Sequence, residues 1–207
     1  MSSINRPFFY DRVRVTLFGG RMQPMQVQGM EAILNFWEQT SSAKDDRWLA
    51  YMLATAYHET ARTMQPVRET LAPTDERAIA ILDRAFARGQ LPWVSNPYWQ
   101  ADKEGKSWLG RGLVQLTHRD NYVRLGQMVG RDLVGDPTLA MRMEVALPIM
   151  VLGMEQGAFT GHRLGQYFNG AREDWVKARQ IINRMDKALQ IADYGKAFYG
   201  AISYTTG

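Results

Sequence analysis

The sequence predicts one mainly α-helical domain. Three observations carry that expectation: apolar residues recur at helical spacing through most of the chain, helix start and stop residues bracket those runs, and strand-like alternation is confined to a short N-terminal stretch. The 207 residues are enough for one sizeable core. No repeat, linker or low-complexity segment divides them, so residues 1–207 read as a single domain.

Residues 13 to 20, VRVTLFGG, alternate apolar and polar before a double glycine, which predicts a short N-terminal strand or hairpin. From Gln26 the period changes, and Val27, Met30, Ile33, Leu34 and Trp37 fall on one helical face to about residue 39. Ser42 is placed to cap the next helix. That helix, 45 to 64, is apolar almost all round, the pattern of a segment in the middle of a domain. Pro66 is expected to end it. Thr74 starts another helix, with Asp75 and Glu76 in its first turn, Ile79, Leu82 and Phe86 on its apolar face, and Gly89 as its stop. Residues 90 to 112 read as loop, and 113 to 129 as a short helix. Asp136-Pro137 opens a further helix that Pro148 should kink. Two last helical patterns cover about 172 to 184 and 186 to 203.

Composition removes several functional classes. No stretch of about 18 apolar residues exists, so no membrane span is expected. The charged N-terminus MSSINRPFFYDRVRV lacks the apolar core of an export signal, which points to synthesis in the cytoplasm unless another route exports the protein. With no cysteine there is neither disulfide nor thiol nucleophile, and three scattered histidines make a poor metal site. HETAR begins like the zinc-protease pattern H-E-x-x-H, but position 62 is Arg62. Gly105-Lys106-Ser107 ends like a phosphate loop, yet its first glycine is replaced by Gln100. No nucleophile elbow is present. No cofactor and no metal are therefore expected. The net charge of +4 favours polyanions, but no run of five basic residues marks a nucleic-acid partner.

Glu59 is the informative carboxylate. It lies on the helical stripe of Trp48, Met52 and Thr55, where lost solvation should raise its pKa as a general acid requires. The alternative reading is a buried structural hydrogen bond or an ion pair with Arg62 or Arg68. Glu69 is ten positions on. A continuous helix would hold the two about 15 Å apart, but a turn at Pro66 permits Glu69 to come back across a cleft. Inverting glycosidases need their carboxyl groups roughly 6.5–9.5 Å apart. The segment GRGLVQLTHRDNY, 110 to 122, carries Arg111, Gln115, Thr117, Asn121 and Tyr122, an assortment of amides, hydroxyl and ring suited to a polyhydroxylated sugar. A glycine-rich turn before an ordinary polar helix is the plainer reading.

HET at 58–60 followed by GRGLVQLTHRDNY resembles glycoside hydrolase family 19, and its phage and prophage lysozyme-like branch most, with plant chitinases as more distant relatives. ATAYHETARTMQPVRE, ARQIINRMDKALQIADY and the N-terminal LFGG…QVQGMEAIL segment extend the likeness over most of the chain. The resemblance implies a lysozyme-like, two-lobed helical fold with the substrate groove between lobes. It implies Glu59 as the general acid and Glu69 as the base for water. It places Gln115, Thr117 and Asn121 where the family positions substrate or water and Asn183 where it has a substrate-contacting asparagine; with His58, Arg111 and Tyr122 these are the candidate substrate-binding residues. Two departures stand out: Arg184-Met185 follows IIN where glycines are usual, and no basic residue of the plant type lies near Gln190. Glu76, Asp102 and Glu104 remain rivals for the base.

The expected function is inverting hydrolysis of β-1,4 bonds in bacterial peptidoglycan strands by a monomer with no separate wall-binding module. Such an enzyme waits in the host cytoplasm and reaches the wall after release. Chitinase and a non-catalytic glycan-binding protein are the alternatives.

Overall fold

The computed structural model describes residues 3–41 and 44–205. Among these the helices are α1 (Arg6–Thr16), α2 (Pro24–Thr40), α3 (Asp46–Glu59), α4 (Asp75–Ala87), α5 (Arg119–Val129), α6 (Met143–Gln156) and α7 (Ala188–Tyr199). Two antiparallel pairs join β1 (Val67–Arg68) to β2 (Arg111–Gly112) and β3 (Phe168–Asn169) to β4 (Arg172–Glu173). The protein is mainly α, as expected. It separates into two compact units, Met1–Gln65 with Met150–Gly207, and Pro66–Ile149.

In the first unit α3 is the central element, buried without interruption from Leu49 to Tyr57, and it packs chiefly on α7. Aromatic rings fill the contact. Tyr57 meets Tyr194 edge-on at 4.8 Å and Phe198 at 5.9 Å, and Phe9 of α1 stacks on Phe198. Gly195 lets α7 sit against Trp175, since a Cβ there would stand 2.8 Å from the indole.

The expected N-terminal strand is instead the end of α1. Asn5 caps that helix by accepting from Phe8 N, and a proline occupies its first turn. Phe9, Val13 and Leu17 are buried at four-residue spacing while Val15 is 65% exposed, so the helical period outweighs the short alternation. Gly19 and Gly20, both at positive φ, then turn the chain.

The second correction concerns the end of α3. The helix stops at Glu59, well before Pro66. Ala61, Arg62 and Met64 take positive φ, and the Thr60 hydroxyl donates to Ala56 O while accepting from Met64 N. Gly29 of α2 lets the Met64 carbonyl approach, for a Cβ at 29 would lie 1.9 Å from that oxygen. Packing of α2 on this turn, rather than proline, ends the helix. Asp45 caps its start; Ser42, the expected cap, lies outside the described residues.

The expected helix at 172–184 is the β3–β4 hairpin followed by a 3-10 turn, Lys177–Ile181. Asn169 Oδ1 holds the hairpin turn by accepting from Ala171 N, and Asp174 accepts from Lys177 N, which restarts the chain beyond the docked Trp175.

In the second unit, α4 begins at the Thr74 cap and its stop includes Gly89 at positive φ, as expected. An apolar cluster of Ala72, Ala78, Leu82, Trp99 and Leu109 forms beneath it. The helix expected from 113 begins only at Arg119, because Gly112, Gln115 and His118 all take positive φ. Asp136 caps a 3-10 turn, Pro137–Met141, and α6 starts afresh at Met143 after the extended Arg142, with Pro148 inside it.

Candidate active site

Glu59 is the last residue of α3, where the helix leaves the core. Its side chain is 15% exposed, and Arg179 Nη1 donates to Oε1 over 2.7 Å. Arg179 is itself buried, with its Nε donating to Asp186 O. Glu59 is therefore one half of an ion pair, the alternative open from the sequence, but with a different partner. Its partner is neither Arg62, which lies over the Tyr57 ring, nor Arg68, which is paired with Asp75. Among the described residues Glu59 Oε2 accepts no hydrogen bond. Half-buried His58 beside it has a pKa lowered by burial; Glu59 opposes that shift and Arg179 adds to it. The imidazole is neutral at neutral pH, and Arg179 is the cation in contact with Glu59.

Asn183 belongs to the same unit. Its N–H donates to Arg179 O, and its side chain is exposed, with Oδ1 accepting from Arg184 N. It lines a pocket of about 460 Å³ with Thr160, His162, Gln180 and Met185.

Glu69, in the other unit, follows β1. Its own N–H donates to Gly110 O, and Oε2 accepts from Gly110 N at 2.8 Å. Oε1 accepts from the Tyr98 hydroxyl at 2.6 Å, and burial followed by Glu69 pushes the Tyr98 pKa up. Gly110 permits this arrangement: a Cβ there would lie 2.7 Å from Gln115 Oε1 and 3.3 Å from both Glu69 Oε2 and Thr117 Cγ2. Three expected residues, Glu69, Gln115 and Thr117, thus converge on one backbone position. Gln115 spends its amide N–H on Val67 O and keeps Oε1 toward Gly110. Each Glu69 oxygen holds one donor and retains a lone pair, so the carboxylate can still accept from water.

The rival bases are placed differently. Asp102 accepts from Glu104 N, Lys106 N and Trp108 Nε1, which makes it the clip of its loop. Glu104 pairs with Lys106 in solvent, and exposed Glu76 belongs to the first turn of α4.

Arg111 and Tyr122 are interior groups. Arg111 is 1% exposed; its Nη1 donates to Ser107 O and the Tyr122 hydroxyl, and its Nη2 to Asp75. Asp75 also accepts from Arg68, the register partner of Arg111 across β1 and β2, so one carboxylate is shared by two guanidinium groups. Asn121 turns its amide N–H to Thr117 O and accepts from Arg124, at the start of α5. Sugar contact is expected of all three from the sequence, whereas the side chains of Arg111 and Tyr122 are buried and bonded to Ser107, Leu109 and Asp75, and that of Asn121 holds the Thr117 carbonyl.

Arg179 and Tyr98 were missed. The readable signal for Arg179 was a cation set between Ala178 and the apolar Ile181-Ile182 pair, two positions after Lys177. Tyr98 had no sequence signal, since its contact with Glu69 spans 29 residues of loop and helix.

The family model described as chitinase class I, glycoside hydrolase family 19, matches residues 41–147. That span contains Glu59, Glu69 and the 110–122 segment, while Arg179 and Asn183 lie beyond it. No curated protein matches the chain.

Proposed function

This chain belongs to glycoside hydrolase family 19, and we propose on that premise that its substrate is the glycan strand of bacterial peptidoglycan. The family makes it a glycoside hydrolase acting on β-1,4-linked glycans. In the proposed mechanism Glu59 protonates the glycosidic oxygen through its unpartnered Oε2. Arg179 stabilises the carboxylate that remains after the proton has left. Glu69, oriented by Gly110 N–H and Tyr98, takes a proton from the attacking water, and Gln115 and Thr117 help to place that water. Addition from the face opposite the leaving group inverts the anomeric carbon.

The single observation that carries this reading is Glu59 at the mouth of α3, with one oxygen held by a buried cation and the other open. The net charge of +4 supports an anionic wall polymer over neutral chitin. Chitin hydrolysis is the second reading, favoured by the description of the matched family. In the peptidoglycan reading the enzyme is made in the host cytoplasm and meets its polymer once the membrane is opened.

The test is reducing-end release from purified peptidoglycan and from chitin, by unmodified protein and Glu59→Gln, with mass spectrometry of the new ends and NMR of the anomeric product. Full activity of Glu59→Gln, or a retained anomer, would overturn the mechanism. Hydrolysis of chitin alone would overturn the choice of polymer.

A further inference from the structure

Trp93 is 74% exposed, while Trp37, Trp99, Trp108 and Trp175 are buried and Trp48 is half-buried with its indole N–H on Phe168 O. Leaving an indole in water forgoes its hydrophobic burial, and the loop around it is not loose. Leu91, Val94 and Tyr98 pack against the apolar cluster of the second unit, and Val94 N–H closes a turn on Leu91 O. The segment is thus anchored before and after Trp93, with the ring turned outward. It borders a pocket of about 400 Å³ lined by Trp93, Val94, Ser95, Asn96, Tyr98 and His118, a volume within the range of small-ligand sites.

The lining is neutral and polar. Among the described residues the side chains of Ser95, Asn96 and His118 make no hydrogen bond within the protein. His118 is held at φ 65°, a conformation rare outside glycine, with its ring centroid 4.4 Å from that of Tyr98. Tyr98 in turn donates to Glu69. An aromatic face beside unspent hydroxyl, amide and imidazole groups suits a pyranose, whose C–H face stacks on a ring while its hydroxyls and acetamido group hydrogen-bond. Among the described residues no carboxylate, lysine or arginine lines the pocket, so it fits a sugar ring better than a charged peptide stem.

We infer that Trp93, Asn96 and His118 form a subsite for one N-acetylhexosamine ring of a β-1,4 glycan, joined through Tyr98 to Glu69. The inference rests on the glycan-hydrolase reading above and deepens it. The ring chemistry is common to chitin and peptidoglycan, so both sources are probed.

The experiment follows the Trp93 indole N–H resonance, assigned by its absence in Trp93→Ala, as the protein is titrated with an N-acetylglucosamine hexamer or with soluble peptidoglycan fragments. A selective shift with either ligand is expected, with binding weakened roughly tenfold in Trp93→Ala and less in Trp93→Phe. On the cleaved polymer the same variants should raise KM and leave kcat within about twofold, because stacking away from the bond is equal in ground and transition states. No shift with either ligand, or unchanged binding and KM in Trp93→Ala, overturns the subsite. Failure of the hydrolase reading shows separately, as no reducing ends from unmodified protein. A Trp93 shift in that event still supports the subsite.

Discussion

Arg179 donates to Glu59 across 120 residues of chain, joining the 3-10 turn Lys177–Ile181 to the end of α3. Both side chains are largely out of water, and breaking a buried pair leaves an uncompensated charge. Arg179→Met should therefore lower stability by about 3 kcal/mol, read as a drop in the urea midpoint. Arg179→Lys keeps the charge but cannot also reach Asp186 O, and should fall between.

Glu59→Gln keeps an oxygen for Arg179 and removes the proton the proposed reaction needs. Because the buried Arg179 then lacks its countercharge, stability should fall, though by less than in Arg179→Met, while hydrolysis falls by about 10²- to 10⁴-fold. Reducing-end assays with a urea titration of the same sample check both halves.

Gly110→Ala places a methyl group against Gln115 Oε1 and Glu69 Oε2. Moving those groups should cost about 1–3 kcal/mol and lower kcat by about tenfold or more, since misplaced catalytic groups are penalised steeply. An alanine variant with unchanged kcat would remove Glu69 from the mechanism.

Asp75 serves Arg68 and Arg111 together. Burial alone would raise its pKa, but hydrogen bonds from the two arginines outweigh burial and hold it below the ordinary carboxylate range. The folded state then binds fewer protons than the unfolded chain. The stabilisation is complete above about pH 4 and is lost as pH falls through the folded value. Asp75→Asn should lower stability by about 3 kcal/mol at pH 7 and flatten the acid limb of the urea midpoint against pH.

His58 works in the same direction at higher pH. Burial lowers its pKa from the ordinary 6.5, so the unfolded imidazole is protonated first. Stability should decline as pH drops from about 6.5 through the folded value. His58→Gln should remove that slope between pH 7.5 and 5.5.

Much of the helical frame was legible, and so was one carboxylate. The faces of α2 and α4, the Thr74 cap and the burial of α3 follow from spacing and capping, which are local. Glu59 was legible for the same reason, as a charge on an apolar stripe. What escaped was set by tertiary contact. The stop of α3 depends on Gly29 admitting the Met64 carbonyl, and the fate of 172–184 on Trp175 docking against Gly195. Arg111 looked like a ligand for sugar because its family motif is polar, yet its guanidinium is consumed by Asp75, Ser107 and Tyr122.

The unit that holds Glu59 is assembled from two separate segments of sequence, with Pro66–Ile149 as an uninterrupted stretch between them. During synthesis the middle segment can close on itself as soon as it leaves the ribosome, whereas α3 emerges early and waits for α7. Contacts of such long sequence separation form late and slow folding. A translation product truncated within residues 66–149 therefore carries α3 with its apolar surface unmatched, a ready target for chaperones or aggregation. Arg179 and Glu59 belong to those two distant parts, so the ion pair forms only after the 120 residues of chain that separate them have been made.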